Sequence, residues 1–283
     1  MKIPVVCMRV LPLIRERELA LAIALPYCNF RCPWCHAGYI VYPRNIVELE
    51  VDVLRHVIRK YSDELGINWV LVTGGEPTLH PKAVYRLFTL CRELEVKCIL
   101  DTNLTNPNII KLLLDGNLLN YVHCDVKAPL SNIEKYALSI GLNIKQTNQY
   151  ISKIRKSLKL ISSSRAVKEI EIRTLIIPEI LNKKDVLQLV KDLLEIPIDL
   201  DKTIYVLEQF TPTPHTLSKD YRYRRETPIE YLEEIALQVK NTYNIKIHVR
   251  AMTKFFNDIT RSKNIVRDFN EGKIDPSLWE FSV

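Results

Sequence analysis

Short runs of aliphatic and β-branched residues alternate with helical apolar stripes along most of this chain. That alternation limits the possible folds more than any other feature of the sequence. Strand-like runs occupy Leu19–Leu25, Trp69–Val72, Val96–Leu100, Tyr121–Cys124, Glu169–Ile177 and Thr203–Leu207, and Ile245–Val249 reads as a final one. Between them, apolar residues recur at spacings of three and four, the mark of a helix with one buried face. Val47, Val51, Leu54, Ile58 and Tyr61 form the first stripe, and Val84, Leu87, Phe88, Cys91 and Leu94 the second. Pro107 opens a third helix that runs through Leu114 and stops at Gly116. A basic helix near Gln149–Ile161 and helices over Lys183–Leu194 and Ile229–Tyr243 complete the set. Six strand–helix units in this order predict a parallel sheet with helices outside, either open or curled into a barrel.

The layout that follows is an N-terminal leader (1–18), one α/β domain (19–250) and a C-terminal tail (251–283) packed on it. No proline- or glycine-rich linker divides the chain. No run of about 18 apolar residues occurs, so no membrane span is predicted. The N-terminus lacks the small-residue cleavage pattern of a signal peptide. Seven cysteines, an odd number in a chain too large to need staples, fit a reducing, cytoplasmic setting better than a disulfide framework. A net charge of +7 admits an anionic partner without requiring one.

The polar residues gather just past the strands. The first strand leads into Cys28, Cys32 and Cys35, and the second into Thr73, Gly74, Gly75, Glu76 and Pro77. The third leads into Asp101, Thr102 and Asn103, and the fourth into Asp125, Val126 and Lys127. Arg173 lies in the fifth, and Glu208 and Gln209 follow the sixth. In parallel α/β folds the carboxyl ends of the strands share one face, where ligands bind. These segments are therefore predicted to meet at one site.

Cys28, Cys32 and Cys35 lie within eight residues, with Trp34 before the last and His36 after it. Thiolates so spaced can wrap a zinc ion or an iron–sulfur cluster. Three are one short of the four that close a cluster. A zinc site completed by His36 or another residue is one reading. A cluster with one open metal position, able to bind a small molecule, is the other.

The pattern Cys28-x3-Cys32-x2-Cys35 with an aromatic residue before the last cysteine resembles that of the radical S-adenosylmethionine (SAM) enzymes, over residues 19–210. The resemblance implies a partial parallel (β/α)6 barrel of the radical SAM type. It implies a [4Fe-4S] cluster on Cys28, Cys32 and Cys35, with SAM on the iron that lacks a protein ligand. Reductive cleavage of SAM would then give methionine and a 5′-deoxyadenosyl radical. Gly74, Gly75, Glu76 and Pro77 are similar to the family's GGEP motif, whose Glu and nearby carbonyls would face the SAM ammonium.

Within the family, Asp101-Thr102-Asn103, Asp125-Val126-Lys127 and Arg173 through Pro178 resemble the activating enzymes of glycyl-radical enzymes such as pyruvate formate-lyase and anaerobic ribonucleotide reductase. By that likeness Asn103, Asp125, Lys127 and Arg173 would surround SAM's polar groups and ribose. Asp101 and Asp125 would bind a cation or hydroxyls, though both also stand where Asp caps helices. His36 would contact adenine through its ring or backbone, Trp34 is a further cofactor-binding candidate, and Gln209 stands where some relatives have a SAM-contacting His. The chain departs from the pattern at Ala37, where activases commonly have Asn, and at Leu104, where they have Gly.

The activity implied is anaerobic hydrogen abstraction from a glycine of a partner protein, with an electron donor such as flavodoxin or ferredoxin. No residue is assigned as an acid or base, because SAM cleavage at a reduced cluster requires none. Two other readings stand beside it: a radical SAM enzyme acting on RNA or a small metabolite, and a structural-zinc binding protein. The aromatic and basic residues of Lys219–Arg225 suit nucleic acid but read first as a solvated loop, and the basic helix likewise reads as a solvated face.

Overall fold

The computed structural model describes residues 1–13, 18–177, 179–261, 265–273 and 280–282. In chain order its elements are β1 (Lys2–Val5), β2 (Cys7–Leu13), β3 (Glu18–Leu25), α1 (Gly38–Val41), β4 (Val47–Glu50), α2 (Val51–Leu65), β5 (Trp69–Gly74), α3 (Pro81–Glu93), β6 (Lys97–Thr102), α4 (Pro107–Asp115) and β7 (Tyr121–Asp125). They continue with α5 (Ile133–Ile140), α6 (Ile144–Ser163), β8 (Glu169–Ile176), α7 (Lys183–Leu194), β9 (Thr203–Gln209), α8 (Ile229–Tyr243), β10 (Ile247–Arg250), α9 (Met252–Arg261), α10 (Ile265–Asn270) and β11 (Glu280–Ser282).

Among the described residues one sheet runs β11-β10-β9-β8-β7-β6-β5-β3-β2. The seven strands from β3 to β10 are mutually parallel, while β2 and β11 pair antiparallel at the two edges. The crossovers place helices between successive parallel strands, as right-handed βαβ units require. The fold is thus a parallel α/β partial barrel whose edges, β2 and β11, do not pair with each other among the described residues.

The sequence Glu18-Leu-Ala-Leu-Ala-Ile-Ala-Leu25 shows how the two faces divide. Strand side chains alternate. Leu19, Leu21, Ile23 and Leu25 point into one large cluster with the helices, including Leu54, Ile58, Leu87, Phe88, Ile154 and Ile235. Burial of each such side chain contributes about 1.5–3 kcal/mol. Ala20 and Ala22 face the other way, onto the concave side, with Trp69, Leu71, Ile99 and Tyr121. Small residues on that side of β3 leave room inside the barrel.

Two segments differ from the sequence expectation. Val47 does not begin the first helix. It lies in β4, antiparallel to β1, and α2 starts at Val51. The leader is not a loose arm in its described part, since Lys2–Val5 pair with β4 and Cys7–Leu13 form the edge strand beside β3. Arg15, Glu16 and Arg17 of the leader, Pro178 and Trp279 lie outside the described residues. In the tail, β11 pairs with β10 and α10 packs against β2.

Candidate functional site

The concave face is layered. At its base are Leu13, Trp69, Leu71, Ile99 and Tyr121, all apolar or aromatic. Toward the carboxyl ends of the strands it becomes charged. Register sets Asp101 beside His123, His123 beside Glu171, Asp125 beside Arg173 and Glu208 beside Arg250. Arg173 bridges the two acids singled out by the sequence, donating from Nε to Asp125 Oδ1 at 3.1 Å and from Nη2 to Asp101 Oδ1. Lys127 Nζ lies 2.9 Å from Asp125 Oδ2, and the Thr73 hydroxyl donates to Asp101 Oδ2 at 2.8 Å. The cation between Asp101 and Asp125 is therefore a guanidinium of the chain itself.

Deeper in, Arg250 donates two hydrogen bonds to Glu171 (2.9 and 2.8 Å) and one to Glu208 (3.0 Å). Burial alone would raise the carboxyl of Asp125, but Arg173 and Lys127 outweigh it and hold it at about 2. Burial likewise works against the Glu171 carboxylate, and Arg250 and His123 outweigh it and lower the group. Burial raises Glu208 despite its arginine neighbours. Sequence reading missed Glu171, His123 and Arg250. They come from three strands, and no local spacing marks them.

The cysteine loop follows β3 and is held by backbone on three sides. Gly75 N–H donates to Leu25 O at 3.0 Å and Glu76 N–H to Tyr27 O at 2.8 Å, which brings the GGEP turn hard against the start of the loop. A Cβ on Gly75 would overlap the Tyr27 carbonyl, and one on Gly74 would overlap the Leu25 backbone. On the second side, Arg31 N–H donates to Ile140 O at 2.8 Å, and a Cβ on Gly141, the left-handed cap of α5, would overlap the Arg31 carbonyl. On the third, Ser218 N–H donates to Pro33 O at 2.7 Å and Leu217 N–H to Cys35 O at 3.2 Å. Arg31 ties the loop to itself, donating to the carbonyls of Cys28 and Phe30.

The remaining predicted residues take distinct places. Glu76 is fully buried. Its carboxylate accepts from the Thr78 N–H (3.0 Å), the Thr78 and Thr102 hydroxyls (2.6 and 2.8 Å) and the Asn103 N–H (2.7 Å). It thereby joins the turn after β5 to the loop after β6. Asn103 donates to Asn29 Oδ1 at 2.8 Å, and its amide nitrogen lies 3.9 Å from Cys28 Sγ. Trp34 is buried with Ile177, Phe210 and Tyr221, its ring 5.3 Å from that of Tyr221. Gln209 is buried, donating to Thr227 O at 2.9 Å and accepting from Thr253 N–H at 3.0 Å. His36 is exposed beside Cys35. Leu104, at the position of the family's glycine, has a φ of 66°.

Cys28 and Cys35 are partly exposed and Cys32 is buried. Burial pushes all three thiols up, Cys28 to about 12. A soft metal centre that takes thiolates would offset that cost. Phe30 N–H already donates to Cys28 Sγ at 3.4 Å, the kind of N–H···S contact that tunes cluster sulfurs. Among the described residues, no three His, Cys, Asp or Glu side chains stand together as a single metal ion requires. The three cysteines offer soft thiolate donors on one loop, one short of the four that close a cluster. This donor set fits a multinuclear cluster bound through three of its metals.

Fold and loop together define a class of protein: a partial parallel α/β barrel with a three-cysteine loop after its first parallel strand. The family model of the Radical SAM superfamily matches residues 23–193. The chain belongs to that superfamily, whose cofactors are a [4Fe-4S] cluster and S-adenosylmethionine. It is 25% identical, over 69% of its length and 75% of the other's, to a Methanocaldococcus jannaschii protein provisionally named as a glycyl-radical enzyme activating enzyme. A structure of TYW1 with a lysine-pyruvate adduct bound matches with a TM-score of 0.52 at 15% identity, covering 79% of this chain and 73% of that one. The FeFe-hydrogenase maturase HydG from Carboxydothermus hydrogenoformans matches with a TM-score of 0.53 at 13% identity, covering 90% and 58%. At such identities the structural likeness is one of fold alone.

Proposed function

We propose that this chain is a glycyl-radical-enzyme activase-like radical SAM oxidoreductase, taking a hydrogen atom from a backbone glycine of a partner protein. Cys28, Cys32 and Cys35 would hold the [4Fe-4S] cluster. When bound, cluster and SAM supply reductive cleavage of SAM to methionine and a 5′-deoxyadenosyl radical. The chain's own residues bind, orient and shield. Asp101, Asp125, Lys127 and Arg173 would present charge to SAM's polar groups, and Glu76 and Asn103 fix the two turns flanking the loop. Gly74 and Gly75 allow the GGEP turn to reach the loop, the buried Trp34 would pack one side of it, the exposed His36 would reach SAM's adenine, and Gln209 would act from the buried end of β9.

The observation that carries this reading is the joint position of Lys127. Paired with Asp125 at 2.9 Å, it is also a cation that works against the burial of Cys28, Cys32 and Cys35, which supports reading the end of β7 and the cysteine loop as one site. Likeness to the M. jannaschii protein supports the activase subclass. The aromatic floor of Trp69 and Tyr121 beneath the charged layer favours, as a second reading, a small metabolite held inside the barrel.

Protein purified without oxygen is expected to be brown, to carry about four irons per chain and to bleach with dithionite. Cys32→Ala should abolish formation of 5′-deoxyadenosine from SAM. Retained cleavage in that variant would refute the cluster assignment. Anaerobic incubation with a glycyl-radical enzyme should yield a glycine-centred paramagnetic signal. SAM cleavage without that signal, but with turnover of an added small molecule, would favour the second reading.

A further inference from the structure

The helix α6 carries Lys145, Lys153, Arg155, Lys156 and Lys159 and no acidic residue along its 20 residues. Its apolar side, Ile151, Ile154, Leu158 and Ile161, is buried in the main core. The Ser157 hydroxyl pins it to the loop after β6 by donating to Leu104 O at 2.7 Å. Lys145, Lys153, Lys156 and Lys159 are exposed, and among the described residues none of the five cations forms a salt bridge with a carboxylate. A helix bearing five like charges without partners repels itself. Such a face is explained by an anionic partner that supplies the missing charge.

The position of this face says which kind. Lys153 Nζ lies over the Tyr150 ring, 5.4 Å from its centroid. Tyr150 meets the Phe30 ring edge-on at 5.5 Å. Phe30 lies between Cys28 and Cys32, and its N–H donates to Cys28 Sγ at 3.4 Å. Three successive contacts thus lead from the cationic face to a sulfur of the cysteine loop. They approach from the outer, helical layer, whereas the charged layer around Asp125 and Arg173 lies on the concave side. A molecule docked on α6 would be close to the cluster without entering the barrel.

We propose that the cationic face of α6 is the docking surface for an acidic one-electron donor protein, carrying a flavin or an iron–sulfur centre. One electron leaves the donor's reduced centre and enters the cluster held by Cys28. The donor is oxidised by one electron, the cluster is reduced by one, and no bond is made or broken. The inference rests on the cluster assignment of Cys28, Cys32 and Cys35. Single-stranded nucleic acid is the less suitable polyanion, since it needs free rings for base stacking. Tyr150, the one ring on α6, is already engaged with Phe30 and Lys153.

The test uses cluster-loaded protein and photoreduced flavodoxin as donor, followed by bleaching of the cluster's visible absorption in a stopped-flow instrument. Combining Lys153→Glu, Lys156→Glu and Lys159→Glu should slow reduction about ten-fold or more at low ionic strength, in line with lost electrostatic steering. The wild-type rate should fall with added salt, and the variant should lose that dependence. Iron content and bleaching by dithionite should not change, and Lys184→Glu on α7 should behave as wild type. An unchanged flavodoxin rate in the triple variant, or a wild-type rate indifferent to salt, overturns the proposal. So does a variant that keeps the flavodoxin rate but no longer retains a labelled single-stranded RNA 15-mer. Failure of the cluster assignment would show separately, as wild-type protein without iron that dithionite does not bleach.

Discussion

Leu104 occupies a backbone conformation that glycine adopts freely and leucine does not, with a φ of 66°. The cost for an L-residue is about 1–2 kcal/mol. Its side chain is fully buried, and losing a buried leucine costs about 2–5 kcal/mol. Burial therefore outweighs strain, and the departure from the family's glycine is stable in place. A resemblance shows that the residue differs, whereas the compensation needs the packing around it. Asp125 can be argued the same way. Its carboxyl is held at about 2 by Arg173 and Lys127, against burial, while an ordinary Asp titrates near 4. The folded value is depressed, so the pair stabilises the protein fully above about pH 4 and loses that contribution as pH falls through about 2. The share is about 2–3 kcal/mol. Equilibrium unfolding of metal-free protein should show Asp125→Asn losing less stability than wild type between those two pH values. Equal losses would mean that Arg173 and Lys127 do not hold the group down.

Elements position the site through their ends. The last turn of α5 is pressed onto the cysteine loop, with Arg31 N–H bonded to Ile140 O and Gly141 packed under the Arg31 carbonyl at a φ of 65°. Gly141→Ala should cost about 1–3 kcal/mol through backbone strain. Because the overlap falls on Arg31, it should also lower the iron held per chain after reconstitution. Full iron occupancy in a destabilised variant would separate α5 from the loop. The sequence showed the parallel strands well, because β3 and β5 through β9 are largely apolar runs bounded by polar turns. It did not reveal β4, because Val47 stands four residues before Val51 and mimics one more helical turn. Nor did it assign α5 or the docking of Ser218 on Pro33, which depend on contacts between distant segments. The three cysteines and the turn around Gly75 were legible because their chemistry is local. The Arg250–Glu171 pair was not, since it joins strands 79 residues apart.

On the scale of the whole molecule, the cysteine loop is fixed by the protein on three sides. The fold should therefore not depend on metal. Metal-free chain is expected to keep the far-ultraviolet circular dichroism of the loaded form and to unfold in one cooperative transition at a lower temperature. A metal-free chain lacking native secondary structure would show instead that the cluster organises the barrel. Among the described residues the two edges of the sheet, β2 and β11, do not pair with each other, and the tail reaches both, through α10 at one and β11 at the other.

The charged upper layer of the barrel, with Asp101, Asp125, Glu171, Glu208, Arg173 and Arg250 brought together on adjacent strands, also has a thermal consequence. Hydration of ions grows less favourable on heating, so the penalty for taking them out of water shrinks, while apolar stabilisation per unit area levels off. That ionic layer is thus least costly to maintain when the protein is hot. As temperature rises, the balance of cohesion moves from the apolar base of the barrel toward its ionic rim.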